Sequence, residues 1–323
     1  MQIDPILAPF LQGGQTLILD GGLATELEKR GFDLDHDLWS AKILLENPEA
    51  IKQLHIDYLL AGADCIITAT YQATIQGLQT FGLSHRESVD LMKLAVDLAI
   101  DARDEFWSVE ENRVGRRQPL VAASVGPYGA YLADGSEYRG DYGLSAEELV
   151  SFHAERWWIL AQSGADFLVC ETTPSIVEAK AYAMLLSQNQ TVRAAISFSC
   201  FDEASICDKT RIDQFSKHQF DYANFISIGI NCTSPQYIPE LIQEFQKITE
   251  KPIIIYPNSG EEWDAEHHCW TGTTHPEEFG TAVREWRRMG AGIIGGCCRT
   301  GPNHIEAIST RLRKPNASDP IDI

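Results

Sequence analysis

Three segments of the chain repeat one pattern: L-A-G-A-D-C-I-I-T-A-T from Leu60, Q-S-G-A-D-F-L-V-C-E-T from Gln162 and R-M-G-A-G-I-I-G-G-C-C from Arg288. In each, a glycine follows a helical pattern, a short apolar run comes next, and small or polar residues close the segment. The glycine reads as a helix C-cap and the run as a strand buried on both faces, which is how strands of parallel sheets read. Apolar runs at 16–19, 120–124, 194–198, 225–230 and 253–256 bring the strands to eight. Stretches of helical period separate them, among them 87–106, 146–162, 175–186, 235–248, 276–289 and 302–312.

Eight strands alternating with helices over 323 residues suit one α/β domain, a single (β/α)8 TIM barrel over 1–323. A doubly wound sheet is the other fold open to such a pattern. Its nucleotide fingerprint is absent, because the first strand runs into D-G-G-L-A-T-E rather than G-x-G-x-x-G. In a barrel the chemistry sits where strands end. The strand ends carry Asp20-Gly21-Gly22, Thr68 to Tyr71, Ser124 to Tyr128, Glu171-Thr172, Asn231-Cys232, Pro257 to Glu261 and Gly295 to Cys298. The barrel reading predicts that all of these meet at one mouth.

Composition bounds the partners. Hydrophobic residues make up 44% and charged residues 22%, so a sizeable core is expected. The stretch 109–118 reads as a solvated loop, and the polar, proline-broken tail 313–323 as flexible. A net charge of −20 argues against nucleic acid and against anionic membrane surfaces, while a cationic small substrate meets no such repulsion. The N-terminal segment makes a poor signal peptide, and no apolar run approaches membrane-spanning length. Eight cysteines in that setting read as reduced thiols or metal ligands, and a cytoplasmic location is expected.

Cys297 and Cys298 follow a glycine pair. A continuing strand would send their side chains to opposite faces, and Gly295-Gly296 permits the bend that would bring them together. Taken alone, the pair also fits one buried cysteine beside an incidental one. At a barrel mouth, however, Cys232 can meet both across the opening. Three thiolates on one side of a cavity make an open zinc site, with the fourth position left for substrate. Cys65 and Cys170 lie inside apolar runs and read as core, whereas Cys200 and Cys207 flank a polar loop. His267-His268-Cys269-Trp270 looks like a metal cluster but reads as a loop, since neighbours on one segment seldom converge on one ion.

Several longer stretches, L-D-G-G-L-A-T-E-L, L-W-S-A-K, I-T-A-T-Y-Q-A-T, S-V-G-P-Y-G-A-Y-L-A-D-G-S-E-Y-R-G-D-Y, C-E-T, G-I-N-C, Y-P-N-S-G-E and G-G-C-C-R-T, span nearly the whole chain. With them the sequence resembles the homocysteine S-methyltransferases, most of all the branch that uses S-methylmethionine or S-adenosylmethionine. The resemblance implies a zinc-containing barrel, one Zn²⁺ per chain held by Cys232, Cys297 and Cys298, that moves a methyl group from a sulfonium donor to homocysteine and forms methionine. Some members have alanine and methionine where this chain has Gly22-Leu23. On that reading Glu171 takes the homocysteine ammonium. Backbone N–H groups around Gly21 and Gly22 receive its carboxylate, with Asp20 orienting the loop, and Tyr71, Tyr128 and Tyr131 offer aromatic faces to the sulfonium. Thr70, Ser124 and Asn231 complete the expected substrate contacts. The rivals are betaine as donor, or a barrel whose zinc is structural or whose vicinal cysteines are redox-active. A folate route on a cobalamin partner lacks room for a cobalamin domain.

Overall fold

The computed structural model describes residues 3–33, 40–215, 225–260, 262–264, 269–271 and 275–313. Its strands are β1 (Leu17–Ile18), β2 (Cys65–Ile67), β3 (Leu120–Val125), β4 (Phe167–Thr173), β5 (Ala194–Phe198), β6 (Phe225–Asn231), β7 (Ile253–Tyr256) and β8 (Ala291–Ile294). They form one parallel sheet in the order β1-β8-β7-β6-β5-β4-β3-β2. A parallel bridge between Leu19 and Cys65 joins β1 to β2, and the Asp20 N–H donates to the Cys65 carbonyl at 3.1 Å beside it. The sheet therefore closes, and the fold is the (β/α)8 barrel.

Side chains one residue apart on a strand face opposite ways, and the barrel uses both sets. Leu17, Leu19, Ala122, Phe167, Val169, Ile254, Tyr256 and Ile293 pack together as one apolar cluster inside the ring. Ile18, Val121, Ala123, Leu168, Cys170, Ile253, Ile255 and Ile294 belong to a second cluster, between the strands and the helices. Continuing the inward parity of Phe167 and Val169 brings Glu171 inside, and that of Ala122 brings Ser124 inside. This is why two polar residues at strand ends share one cavity.

The helices that matter below are α1 (Leu23–Lys29), α2 (Pro48–Ala61), α3 (His85–Ser108), α4 (Ala146–Ala161), α5 (Ile176–Ser187), α6 (Ile238–Ile248), α7 (Pro276–Arg288) and α8 (Pro302–Arg313). Ser84 and Ser145 start α3 and α4 with capping boxes closed by Glu87 and Glu148. Gly62, Gly164 and Gly290, the glycines of the three repeated segments, have φ of +115°, +92° and +107°. Left-handed backbone of that kind suits glycine, so the repeats are helix ends as their spacing predicts. No helix among the described residues is long and apolar enough to cross a membrane.

The stretch 109–118 is mostly exposed, as expected of a solvated loop, with one refinement, and a second local reading is corrected. Within 109–118, Glu110–Arg113 is a 3-10 turn, and Arg116 folds inward, donating to the Leu59 carbonyl at 2.7 Å and lying 4.9 Å from the Phe106 ring centre. Cys269 and Trp270 lie not in a loop but in the strand Cys269–Thr271, antiparallel to Glu262–Asp264, while His267 and His268 are outside the described residues. The tail 314–323 is outside them too. At the other end, Leu7, Phe10 and Leu11 join the barrel's inner cluster and close its base.

Candidate metal centre and substrate cavity

The polypeptide leaves β8 through Gly295 and Gly296, and four backbone bonds fix the turn that follows. Gly295 N–H donates to Ile255 O at 2.9 Å, Gly296 N–H to Asp20 O at 3.1 Å, Cys297 N–H to Pro257 O at 2.8 Å and Ser259 N–H to Cys298 O at 3.0 Å. After β6, Cys232 adopts a left-handed φ of +48° while its N–H donates to Tyr256 O at 3.2 Å. The result is that the Cys232, Cys297 and Cys298 sulfurs all lie within 4.8 Å of one another, and those of Cys232 and Cys298 are 3.6 Å apart. A tetrahedral ion with Zn–S arms of about 2.3 Å has its sulfurs about 3.8 Å apart, so the triangle is of the size that suits a soft metal. It is far too open for a disulfide bond of about 2.05 Å. Among the described residues no fourth His, Cys, Asp or Glu joins the group. Tyr138 OH stands 3.2 Å from Cys232 Sγ.

The thiols face a cavity of about 140 Å³ that also touches Asp20, Gly21, Gly22, Tyr71, Glu171 and Tyr256. Glu137 adds a third carboxyl group, and among the described residues no Lys, Arg or His lines the space. Glu171 accepts a hydrogen bond from Ser124 Oγ and another from Tyr256 OH, whose oxygen is 2.6 Å from Ser197 Oγ. Burial nevertheless dominates and pushes the Glu171 carboxyl up to about 7, with the Cys298 charge adding to the rise. Burial also raises Asp20, although its carboxylate accepts the Ile67 N–H at 2.8 Å. Two buried carboxyl groups, in a cavity with no cation among its described lining residues, make a setting in which a positively charged ligand would favour their ionised forms.

The other residues expected at the mouth divide into supports and outliers. Thr70 Oγ1 donates to the Ser124 carbonyl and lies 2.7 Å from Thr68 Oγ1, which accepts the Ser124 N–H at 3.1 Å, so these groups stand behind Glu171. Asn231 accepts the Thr172 N–H at 2.7 Å and donates to Thr172 Oγ1 at 2.8 Å, holding the left-handed residue that follows Glu171. Tyr128 and Tyr131 stand outside the cavity, with ring centres 5.7 Å apart and with Phe152 packed against both. The Gly22 N–H is taken by the Thr300 carbonyl at 2.9 Å, which leaves Gly21 and the first turn of α1 to offer N–H groups without a partner among the described residues. Sequence reasoning passed over Tyr138, Glu137 and Tyr256, whereas Thr172 lines the cavity as its place at a strand end predicts. For Tyr256 a signal existed, namely the inward parity it shares with Ile254.

Gly22 is where the first and last loops touch. A Cβ there would lie 2.5 Å from the Cys297 carbonyl oxygen, which belongs to backbone already tied to Pro257 and Thr300. Gly22→Ala is expected to lower stability by about 1–3 kcal/mol, the usual cost of overpacking. Urea unfolding checks this, and an unchanged midpoint would show that the loops part freely.

Thiols and carboxyl groups gathered at the C-terminal mouth of a parallel barrel mark a (β/α)8 enzyme. Comparison with known proteins narrows the class. A family model for homocysteine S-methyltransferase matches residues 17–312, and the chain belongs to that family. Homocysteine S-methyltransferase YbgG of Bacillus subtilis (strain 168) is 51% identical, with 92% of this chain and 94% of the relative aligned. The structure of the homocysteine methyltransferase MmuM from Escherichia coli in its oxidized form superposes with a TM-score of 0.86 at 42% identity, covering 95% of this chain and 100% of that one. Its metallated form gives 0.84 at 41% identity, with 95% and 99% covered.

Proposed function

We propose that this methyltransferase holds one zinc ion on Cys232, Cys297 and Cys298 and transfers a methyl group from a sulfonium donor, S-methylmethionine or S-adenosylmethionine, to homocysteine. The observation that carries the reading is the triangle of three sulfurs opening on a cavity whose described lining residues include acidic and no basic side chains. When bound, zinc supplies a Lewis acid that lowers the pKa of an incoming thiol, which otherwise lies near ~8.5.

The chain's own residues do the rest. Glu171, oriented by Ser124 and Tyr256, receives the homocysteine ammonium, and the Asp20 carboxyl, tied to the Ile67 N–H, orients the loop beside it. The N–H groups of Gly21 and the start of α1 receive the carboxylate. Tyr71 lines the cavity and offers a ring face to the donor cation. In the transfer, the homocysteine sulfur forms a bond to the methyl carbon while the donor's S–CH₃ bond breaks. The electron pair stays on the donor sulfur, which leaves as a neutral thioether, and the thiol proton passes to solvent. No group has to protonate the leaving atom, so catalysis rests on alignment.

The acidic lining also ranks the donors. S-methylmethionine and S-adenosylmethionine each carry an ammonium and a sulfonium against one carboxylate, whereas betaine carries a single cation. Zinc-loaded protein with homocysteine is expected to form methionine from S-methylmethionine with a kcat/KM at least about tenfold above that with betaine, the scale of one charge-assisted contact. Equal or faster turnover with betaine would overturn the donor assignment.

A further inference from the structure

At the opposite end of the barrel, where the strands begin, lies a second cavity of about 490 Å³. Arg116, Arg117, Arg287 and Arg313 line it, and among the described residues Asp64 is the only carboxylate beside them. Four guanidinium groups on one cavity stand out in a chain of net charge −20. We propose that this cavity is a binding site for a dianionic phosphate group, either as the free ion or as a phosphate ester.

The competing explanation is that these arginines only cap the helix ends at the barrel's base. Arg116 donates to the carbonyls of Leu59 and Ala63, Arg313 to that of Gly62 at 3.0 Å, and Arg287 to that of Gly14 at 2.7 Å. Carbonyls satisfy N–H groups but carry only partial charge. Asp64 must serve Arg313, at hydrogen-bond distance, and Arg116, 3.8 Å away, while its other oxygen accepts the Ile18 N–H at 3.1 Å. Among the described residues Arg287 and Arg117 face no carboxylate on this cavity. Arg117 is exposed and makes no hydrogen bond or ion pair among the described residues, so capping does not account for it.

Two further features favour an oxyanion. Arg116 is preorganised, with the Phe106 ring against its guanidinium and a buried Nε that lacks a partner among the described residues. Burial pulls Arg116 down to about 10, and the nearby Arg313 charge acts in the same sense. A doubly charged anion would relieve both effects, and the planar forks match phosphate oxygens in pairs. The volume exceeds that of phosphate alone, leaving room for the body of an ester.

Calorimetric titration of the zinc-loaded protein at low ionic strength, with inorganic phosphate and separately with adenosine monophosphate, tests the site. The expected result is one site per chain for at least one of them, with affinity falling as salt rises. Tighter binding of the monophosphate would assign an ester, and tighter binding of the inorganic ion the free anion. Arg117→Ser is expected to weaken binding about tenfold, as loss of one charge-assisted contact does, and Arg117→Glu more, with the unliganded melting temperature and methyl transfer unchanged. No binding of either compound, or equal binding by both variants, would overturn the proposal and leave the arginines as helix caps.

Discussion

Replacing Cys297 by alanine is expected to strip zinc from the protein and lower methyl transfer by at least about a thousandfold, well beyond the ~10–100-fold loss that follows changes behind a metal ligand. Cys232→Ala and Cys298→Ala are expected to behave alike, because the three sulfurs lie within 4.8 Å of one another and no other described His, Cys, Asp or Glu is grouped with them. Cys170→Ala is the control. That thiol is fully buried in the cluster between strands and helices, so its loss should cost stability and leave the metal in place. Metal analysis and initial rates on the same samples decide the matter. If the Cys297–Cys298 pair were a redox switch, Cys232→Ala would be nearly silent. If zinc were absent from the mechanism, metal-free protein would turn over at the full rate.

What the sequence made legible follows from which parts of a chain obey a period. Gly62, Gly164 and Gly290 mark helix ends, and the apolar runs after them are strands whose last residues must point at one mouth. Cys232, Glu171 and the Cys297-Cys298 pair could therefore be placed together from spacing. Loops obey no period. Tyr138 reaches Cys232 from within a glycine-rich connection whose course only the folded chain defines. Tyr128 stands three residues after the end of β3, yet the Gly126-Pro127 turn sends it to Phe152, and the Tyr128 N–H donates to Glu178 Oε1 at 2.6 Å. The Gly22 N–H was a fair candidate for substrate until its partner proved to be Thr300, from the far end of the chain. The basal arginines were hidden for the same reason, since three separate parts of the chain supply them.

Glu171→Gln is expected to lower kcat/KM for homocysteine about a hundredfold at pH 8 while zinc stays bound, the loss appropriate to a buried charge-assisted bond. Its pH dependence is more diagnostic. Burial holds the Glu171 carboxyl at about 7, so in the free enzyme it is largely protonated in mild acid and must ionise to meet an ammonium. On the proposed reading the substrate thiol, with a reference pKa near ~8.5, would also lose a proton on binding. Below pH 7 the logarithm of homocysteine affinity should therefore rise with pH at a slope near two, and between 7 and 8.5 at a slope near one. In the Gln variant the slope should be near one across both ranges. Folding provides the control. The folded-state value lies above the ordinary 4.5, so the folded protein binds the extra proton between those values, and this group's contribution to stability falls as pH rises through that window. Unliganded Gln variant should thus be at least as stable as the parent at pH 8, which separates lost binding from lost fold. A slope of one in the parent below pH 7 would remove Glu171 from the ammonium site.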